Sequence, residues 1–266
     1  MPRSWSVVTA NVNGIRAAQR RGGVDWLAAS KADVICLQEV RATREQLDEA
    51  LADSPLARWH VAHEPAPDLG RAGVAILSKA EPIDVRPGPK ALAGQGRWVE
   101  MDLDTPVGPV TVVSTYIHAG ELDSPKQTAK YAFLDAMTRR LEALRKADRE
   151  AVVLGDFNIA HREVDLKNWR GNRGAVGFLE EERAYLDRWF ARHWTDLGRA
   201  HAGEGPGPYT WWSWRGKAFD TDTGWRIDYA IATSALAQRM RGVEIGRAAS
   251  YDTRWSDHAP VTVAFA

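Results

Sequence analysis

The sequence predicts an α/β fold in which two packed β-sheets carry helices on their outer faces. Three observations predict it. Seven short runs of β-branched residues recur along the chain, helix-patterned stretches lie between some of them, and no internal repeat or low-complexity linker interrupts the series. At 266 residues, one domain spanning 1–266 buries enough of its chain to need neither disulfide nor structural metal.

The strand runs are residues 6–9, 33–37, 73–77, 110–113, 151–154, 227–231 and 260–263. The clearest helix follows Ser124-Pro125, a capping residue and then proline at the first helical position. It continues through Tyr131, Leu134, Met137, Leu141 and Leu144, spaced three or four apart so that they share a face. A second helix is expected over residues 179–190, and a short Gly/Pro-rich connection over 202–208. The single cysteine, Cys36, excludes an internal disulfide framework and a multi-cysteine zinc site; its apolar neighbours mark it as a core residue. The N-terminus lacks the apolar stretch of a signal peptide and no segment reaches membrane-span length, so a soluble cytoplasmic protein with no membrane partner is expected.

Polar residues gather where strands end. The first run leads into Asn11-Val12-Asn13-Gly14, the second into Gln38-Glu39, the fourth into Ser114-Thr115-Tyr116, and the fifth into Gly155-Asp156-Phe157-Asn158. Two later strands carry acids near their start: Asp228, and Asp257-His258. If those two run antiparallel to the other four, all these groups meet on one rim. Crowded carboxylates repel and are costly to desolvate unless a cation compensates. An oxygen-rich set with little imidazole and no thiolate favours a hard cation, Mg²⁺ or Mn²⁺, over zinc. Spare acids beside such a cation suit phosphoryl transfer to water. Each motif alone has an ordinary structural explanation, such as a turn, a cap or a solvated acid; their ordered recurrence at strand ends carries the functional reading.

Together these residues resemble the exonuclease III family of abasic-site endonucleases, within the endonuclease/exonuclease/phosphatase superfamily. The resemblance runs from Thr9 to Phe265 through residues 10–17, 37–39, 73–78, 155–160, 224–229 and 256–260. It implies a four-layered α/β sandwich of two mixed sheets. It implies a metal site at Glu39 with Asn11, Asn13 and Asp257 close by, Asp156 orienting or deprotonating the attacking water, and Asn158 beside it on the phosphate. His258, paired with Asp228, is implied to stabilise transition-state charge, and Tyr116 to sit near the leaving oxygen. The chain departs from the family after Tyr116, reading Ile117-His118-Ala119-Gly120 where a proline and a polar phosphate-gripping residue are usual.

Within that superfamily, two features point to DNA. The segment 209–215 followed by Gly224-Trp225 resembles the pocket for a flipped-out abasic sugar, with Trp211, Trp212, Trp225 and Ile227 as its walls and Trp214 in the core. Basic residues flank the motifs: Arg16, Arg20 and Arg21; Arg162, Lys167, Arg170 and Arg173; Arg215 and Lys217. Arg16, Lys167 and Arg170 are expected to contact the phosphate backbone. A net charge of zero counts mildly against bulk electrostatic binding but accommodates a basic surface around an acidic centre. The expected activity is Mg²⁺-dependent cleavage 5′ to abasic sites, with 3′→5′ exonuclease and 3′-phosphatase activity on double-stranded DNA, by a monomer. A small-molecule or lipid phosphoesterase and a catalytically inactive DNA-binding protein are the alternatives; the tryptophan segment opposes the first, and the intact set of catalytic residues opposes the second.

Overall fold

The computed structural model describes residues 4–68, 70–147 and 149–266. One six-stranded sheet contains β1 (Trp5–Asn11), β2 (Val34–Gln38), β3 (His60–Glu64), β4 (Val74–Ser78), β11 (Met240–Ile245) and β12 (Val261–Phe265), in the order β11-β12-β1-β2-β4-β3. The other contains β5 (Asp84–Arg86), β6 (Trp98–Thr105), β7 (Gly108–Tyr116), β8 (Glu150–Asp156), β9 (Trp194–Asp196) and β10 (Asp228–Thr233), in the order β5-β6-β7-β8-β10-β9.

Strand periodicity divides the apolar residues between two faces. Val7, Val34, Cys36 and Ile76 from the first sheet meet Val112, Val152, Leu154 and Ala230 from the second in the central core. Their chain neighbours Val8, Ile35 and Leu77 point outward against α1 (Ile15–Arg20), α2 (Gly23–Ala29) and α3 (Arg44–Leu51). Val113, Val153 and Ile231 point outward against α4 (Pro125–Arg145) and α5 (Glu180–Phe190). The result is helix, sheet, sheet, helix: the expected four layers. Each buried Val, Leu or Ile in this arrangement stabilises the fold by roughly 1.5–3 kcal/mol.

α4 begins as anticipated: Ser124 accepts from the Lys126 N–H at 3.2 Å and Pro125 occupies the first turn. Leu134, Met137, Leu141 and Leu144 are buried along it. All seven predicted runs are strands. The additional ones are β6 and the four edge strands β3, β5, β9 and β11. β6 escapes the apolar pattern because its outward face carries Glu100, fully buried and held by Arg140 at 2.7 Å and Arg86 at 3.2 Å. No helix among the described residues is long and apolar enough to cross a membrane.

Strand direction builds the site. β1 runs parallel to β2, and β7 to β8, so their carboxyl ends share a rim. β12 is antiparallel to β1 and β10 antiparallel to β8, which brings their starting ends to that same rim. In the latter pair Asp228 lies directly across from Asp156.

Candidate active site

The rim begins with an amide that joins the two sheets. Asn11, fully buried at the end of β1, donates from Nδ2 to Glu39 Oε1 and to Asp156 Oδ2, each at 2.9 Å. Its own Oδ1 accepts from the Asn13 N–H at 3.0 Å, and Asn13 Nδ2 donates to Asp257 Oδ1 at 2.7 Å. Glu39 stands just past β2 with φ 49°, a left-handed conformation uncommon outside glycine and asparagine. It is held there by the Gly14 N–H on its carbonyl at 2.8 Å and by the next residue's N–H on the Gly73 carbonyl at 3.0 Å. Its Oε2 pairs with Arg41.

Asp156 follows Gly155, where a Cβ would lie 1.8 Å from the Thr115 carbonyl oxygen, so only glycine lets β8 pass this close to β7. Asp156 Oδ1 accepts from the Asn158 N–H at 2.8 Å. Burial, reinforced by the Asp228 and Glu39 charges and opposed by His258, pushes its carboxyl above the ordinary range. His258 Nδ1 lies 2.9 Å from Asp228 Oδ2, and its Nε2 is 3.8 Å from Asp156 Oδ2. Burial alone would lower the imidazole, but Asp228 and then Asp156 outweigh it and raise the ring to about 10, so it stays protonated at neutral pH. Burial, aided by Glu39 and Asp156, raises the Tyr116 phenol and keeps its proton on.

These groups line an open cleft of about 390 Å³ with Glu39, Tyr116, Asp156, Asn158, Asp257 and His258 on its polar side. Trp211, Trp225 and Ile227 form its apolar wall, the two indoles edge to face with centroids 6.5 Å apart. Trp211 Nε1 donates to Asp257 Oδ2 at 3.1 Å, tying that wall to the rim.

Three placements correct the sequence expectations. Trp212 does not line the cleft: it is 1% exposed, packs on Phe219 and donates to Asp222 Oδ1 at 3.0 Å. Successive residues of an extended segment face opposite ways, so Trp211 and Trp212 cannot both face the cleft. Trp214 is half-buried rather than core, with the Arg254 guanidinium 4.0 Å and that of Arg21 5.2 Å from its ring. Asn11 and Asn13 turn amide N–H groups, not ligand oxygens, toward carboxylates: Asn11 bridges Glu39 and Asp156, and Asn13 holds Asp257. Among the described residues, the groups whose ligand atoms lie within 4.8 Å of one another are Glu39, Asp156 and His258. Of these, Glu39 and Asp156 supply carboxylate oxygens, the donors that fit a hard divalent ion.

Arg16 is exposed on α1; Lys167 and Arg170 are exposed after Leu166, the residue that bridges to Trp225. None of the three lines the cleft. His118 lies in an adjoining groove of about 590 Å³, 3.4 Å from Gln95 Oε1. Several contributors carried no strand-end signal. Thr210 Oγ1 accepts from the Ile227 and Asp228 N–H groups, both at 3.1 Å; Ser256 Oγ accepts from the His258 N–H at 3.2 Å and donates to the Asn11 carbonyl at 2.7 Å. The Arg97 guanidinium covers the Tyr116 ring at 4.7 Å.

The chain matches known proteins over nearly its whole length. Residues 8–258 fit the endonuclease/exonuclease/phosphatase family. An exodeoxyribonuclease of Bacillus subtilis is 31% identical across 96% of this chain and 97% of its own. Exodeoxyribonuclease III of Haemophilus influenzae is 30% identical across 97% of this chain and 98% of its own. Among solved structures, a 3′ phosphatase from Neisseria bound to a product DNA hairpin superposes with a TM-score of 0.84 at 29% identity, covering 98% of this chain and 99% of that one. The chain belongs to the endonuclease/exonuclease/phosphatase family and, within it, to the exonuclease III group of nucleases.

Proposed function

We propose that this chain is a Mg²⁺-dependent DNA repair phosphodiesterase that cuts 5′ to abasic sites and also trims 3′ ends, as a 3′→5′ exonuclease and 3′-phosphatase. The observation that carries this reading is the contact of acids from both sheets through Asn11, with the His258 imidazole 3.8 Å from Asp156 and an indole wall beside them. Glu39 and Asp156 would hold the divalent ion, Mg²⁺ or Mn²⁺, which when bound neutralises charge on the scissile phosphate.

The protein's own groups then divide the work. Asp156 orients the attacking water and takes its proton as the water oxygen bonds to phosphorus. The His258 imidazolium, held by Asp228, faces the charge that builds on the phosphate oxygens. Asn158 supports the same phosphate. As the bond from phosphorus to the 3′ oxygen breaks, the Tyr116 hydroxyl supplies a proton to that leaving oxygen. Trp211, Trp225 and Ile227 pack a deoxyribose that lacks its base, because flat apolar rings fill the space a base would occupy. Arg16, Lys167 and Arg170 reach the flanking backbone of the duplex, and the enzyme acts as a single-domain cytoplasmic monomer.

The test is a labelled duplex with one central abasic analogue, incubated with and without Mg²⁺ and resolved by length. One nick 5′ to the analogue, abolished by EDTA, is expected; cleavage that persists in EDTA refutes the reading. In the same assay Asp156→Asn should cost about 10³-fold or more in rate, and near-normal turnover would remove Asp156 from its role.

A further inference from the structure

A buried ion pair outside the reacting groups connects three loops of the cleft. Lys130, on α4, and Glu182, on α5, are each fully buried and lie 2.8 Å apart. The Lys130 ammonium also donates to the Ala119 carbonyl at 3.1 Å and the Asn158 carbonyl at 3.0 Å. On the other side, Glu182 Oε2 accepts from the Gly177 N–H at 2.6 Å, while Oε1 accepts from Gln127 Nε2 at 2.9 Å. Ala119, Asn158 and Gly177 all line the cleft, on three separate loops. The packing is close: a Cβ on Gly120 would come within 2.3 Å of Gln127 Oε1 and 3.1 Å of Lys130 Cδ, and one on Gly177 within 3.1 Å of the Asn158 carbonyl.

We propose that Lys130 and Glu182 are positioning residues that set the floor of the active-site cleft. The pair fixes the Asn158 loop against the loops carrying Ala119 and Gly177, and so fixes where Asn158 stands relative to Asp156. A buried ion pair is a poor device for stability alone, since apolar replacements of similar volume often serve as well. Its use here is geometric: an ammonium offers three donors, and this one spends two on loop carbonyls and one on its partner. Lys130 is itself fully buried and does not line the cleft.

This inference rests on the nuclease reading above, and its test separates the two. Lys130→Met leaves Glu182 buried and unpaired and is expected to lower Tm. The double variant Lys130→Met/Glu182→Gln removes both charges and is expected to recover Tm to within about 5 °C of the parent. On the abasic duplex with saturating Mg²⁺, the folded double variant should lose roughly 30-fold or more in kcat with KM changed less than about threefold, because the reacting geometry suffers while the outer DNA contacts remain. A parent enzyme that cuts no DNA would defeat the nuclease reading and this inference with it. A parent that cuts, beside a folded double variant whose kcat is within threefold, overturns this inference alone. Failure of both variants to fold overturns it as well, by making the pair a support of the fold rather than of the cleft.

Discussion

At the scale of residues, the pairing of His258 with Asp228 yields a prediction with a definite sign. The imidazole is raised to about 10, by Asp228 first among its charged neighbours and against the effect of burial. The proton is therefore present through the neutral range and is lost as pH rises through the folded value. Asp228→Asn removes the principal counter-charge, so the proton should leave at lower pH. The alkaline limb of the kcat profile should move down by about one unit or more; an unmoved limb would show that His258 does not act as an imidazolium. Thr210 matters to the same pair, because its hydroxyl fixes the backbone from which Asp228 projects. Trp211 and Trp212 show how sharply side-chain direction discriminates neighbours: one closes the cleft and the other packs away from it.

At the scale of elements, Gly155 is the tightest point between β7 and β8. Gly155→Ala should destabilise the protein by about 3 kcal/mol, or roughly 6–12 °C in Tm, and should disturb Asp156 next to it. Unchanged Tm and activity would mean that the two strands can part without cost. The elements also show what was legible beforehand. The seven strands found from sequence are β1, β2, β4, β7, β8, β10 and β12, each flanked by a strand on both sides. Interior strands are buried on both faces and so read as apolar runs. The four edge strands have fewer apolar residues to give, and β6 hides behind Glu100 and its arginines. In the site, Glu39, Asp156, Asp228 and His258 were legible because strand ends expose them in order along the chain. Trp212 was misplaced because a cluster in sequence says nothing about which way each ring turns. Lys130 was invisible as anything but one more helical lysine: its partner is 52 positions away, and the carbonyls it holds carry no sequence signature.

At the scale of the whole molecule, the charge balance of zero no longer conflicts with a polyanionic substrate, because several of the acids are consumed within the rim. A divalent ion beside Glu39 and Asp156 would bind the folded chain and not the unfolded one. Mg²⁺ at about 100 times its Kd should add about 2.7 kcal/mol, several degrees in Tm. Glu39→Gln should abolish most of that increment in a thermal melt with and without Mg²⁺, and an undiminished increment would place the ion elsewhere. The division of the rim between the sheets has a last consequence. Asn11, Glu39 and His258 lie on or beside strands of one sheet, and Tyr116, Asp156 and Asp228 on strands of the other. Neither half holds a complete set of reacting groups. A chain still emerging during synthesis, or one partly unravelled, is thus harmless to the genome it will later mend: its destructive capacity exists only after both halves have closed on each other.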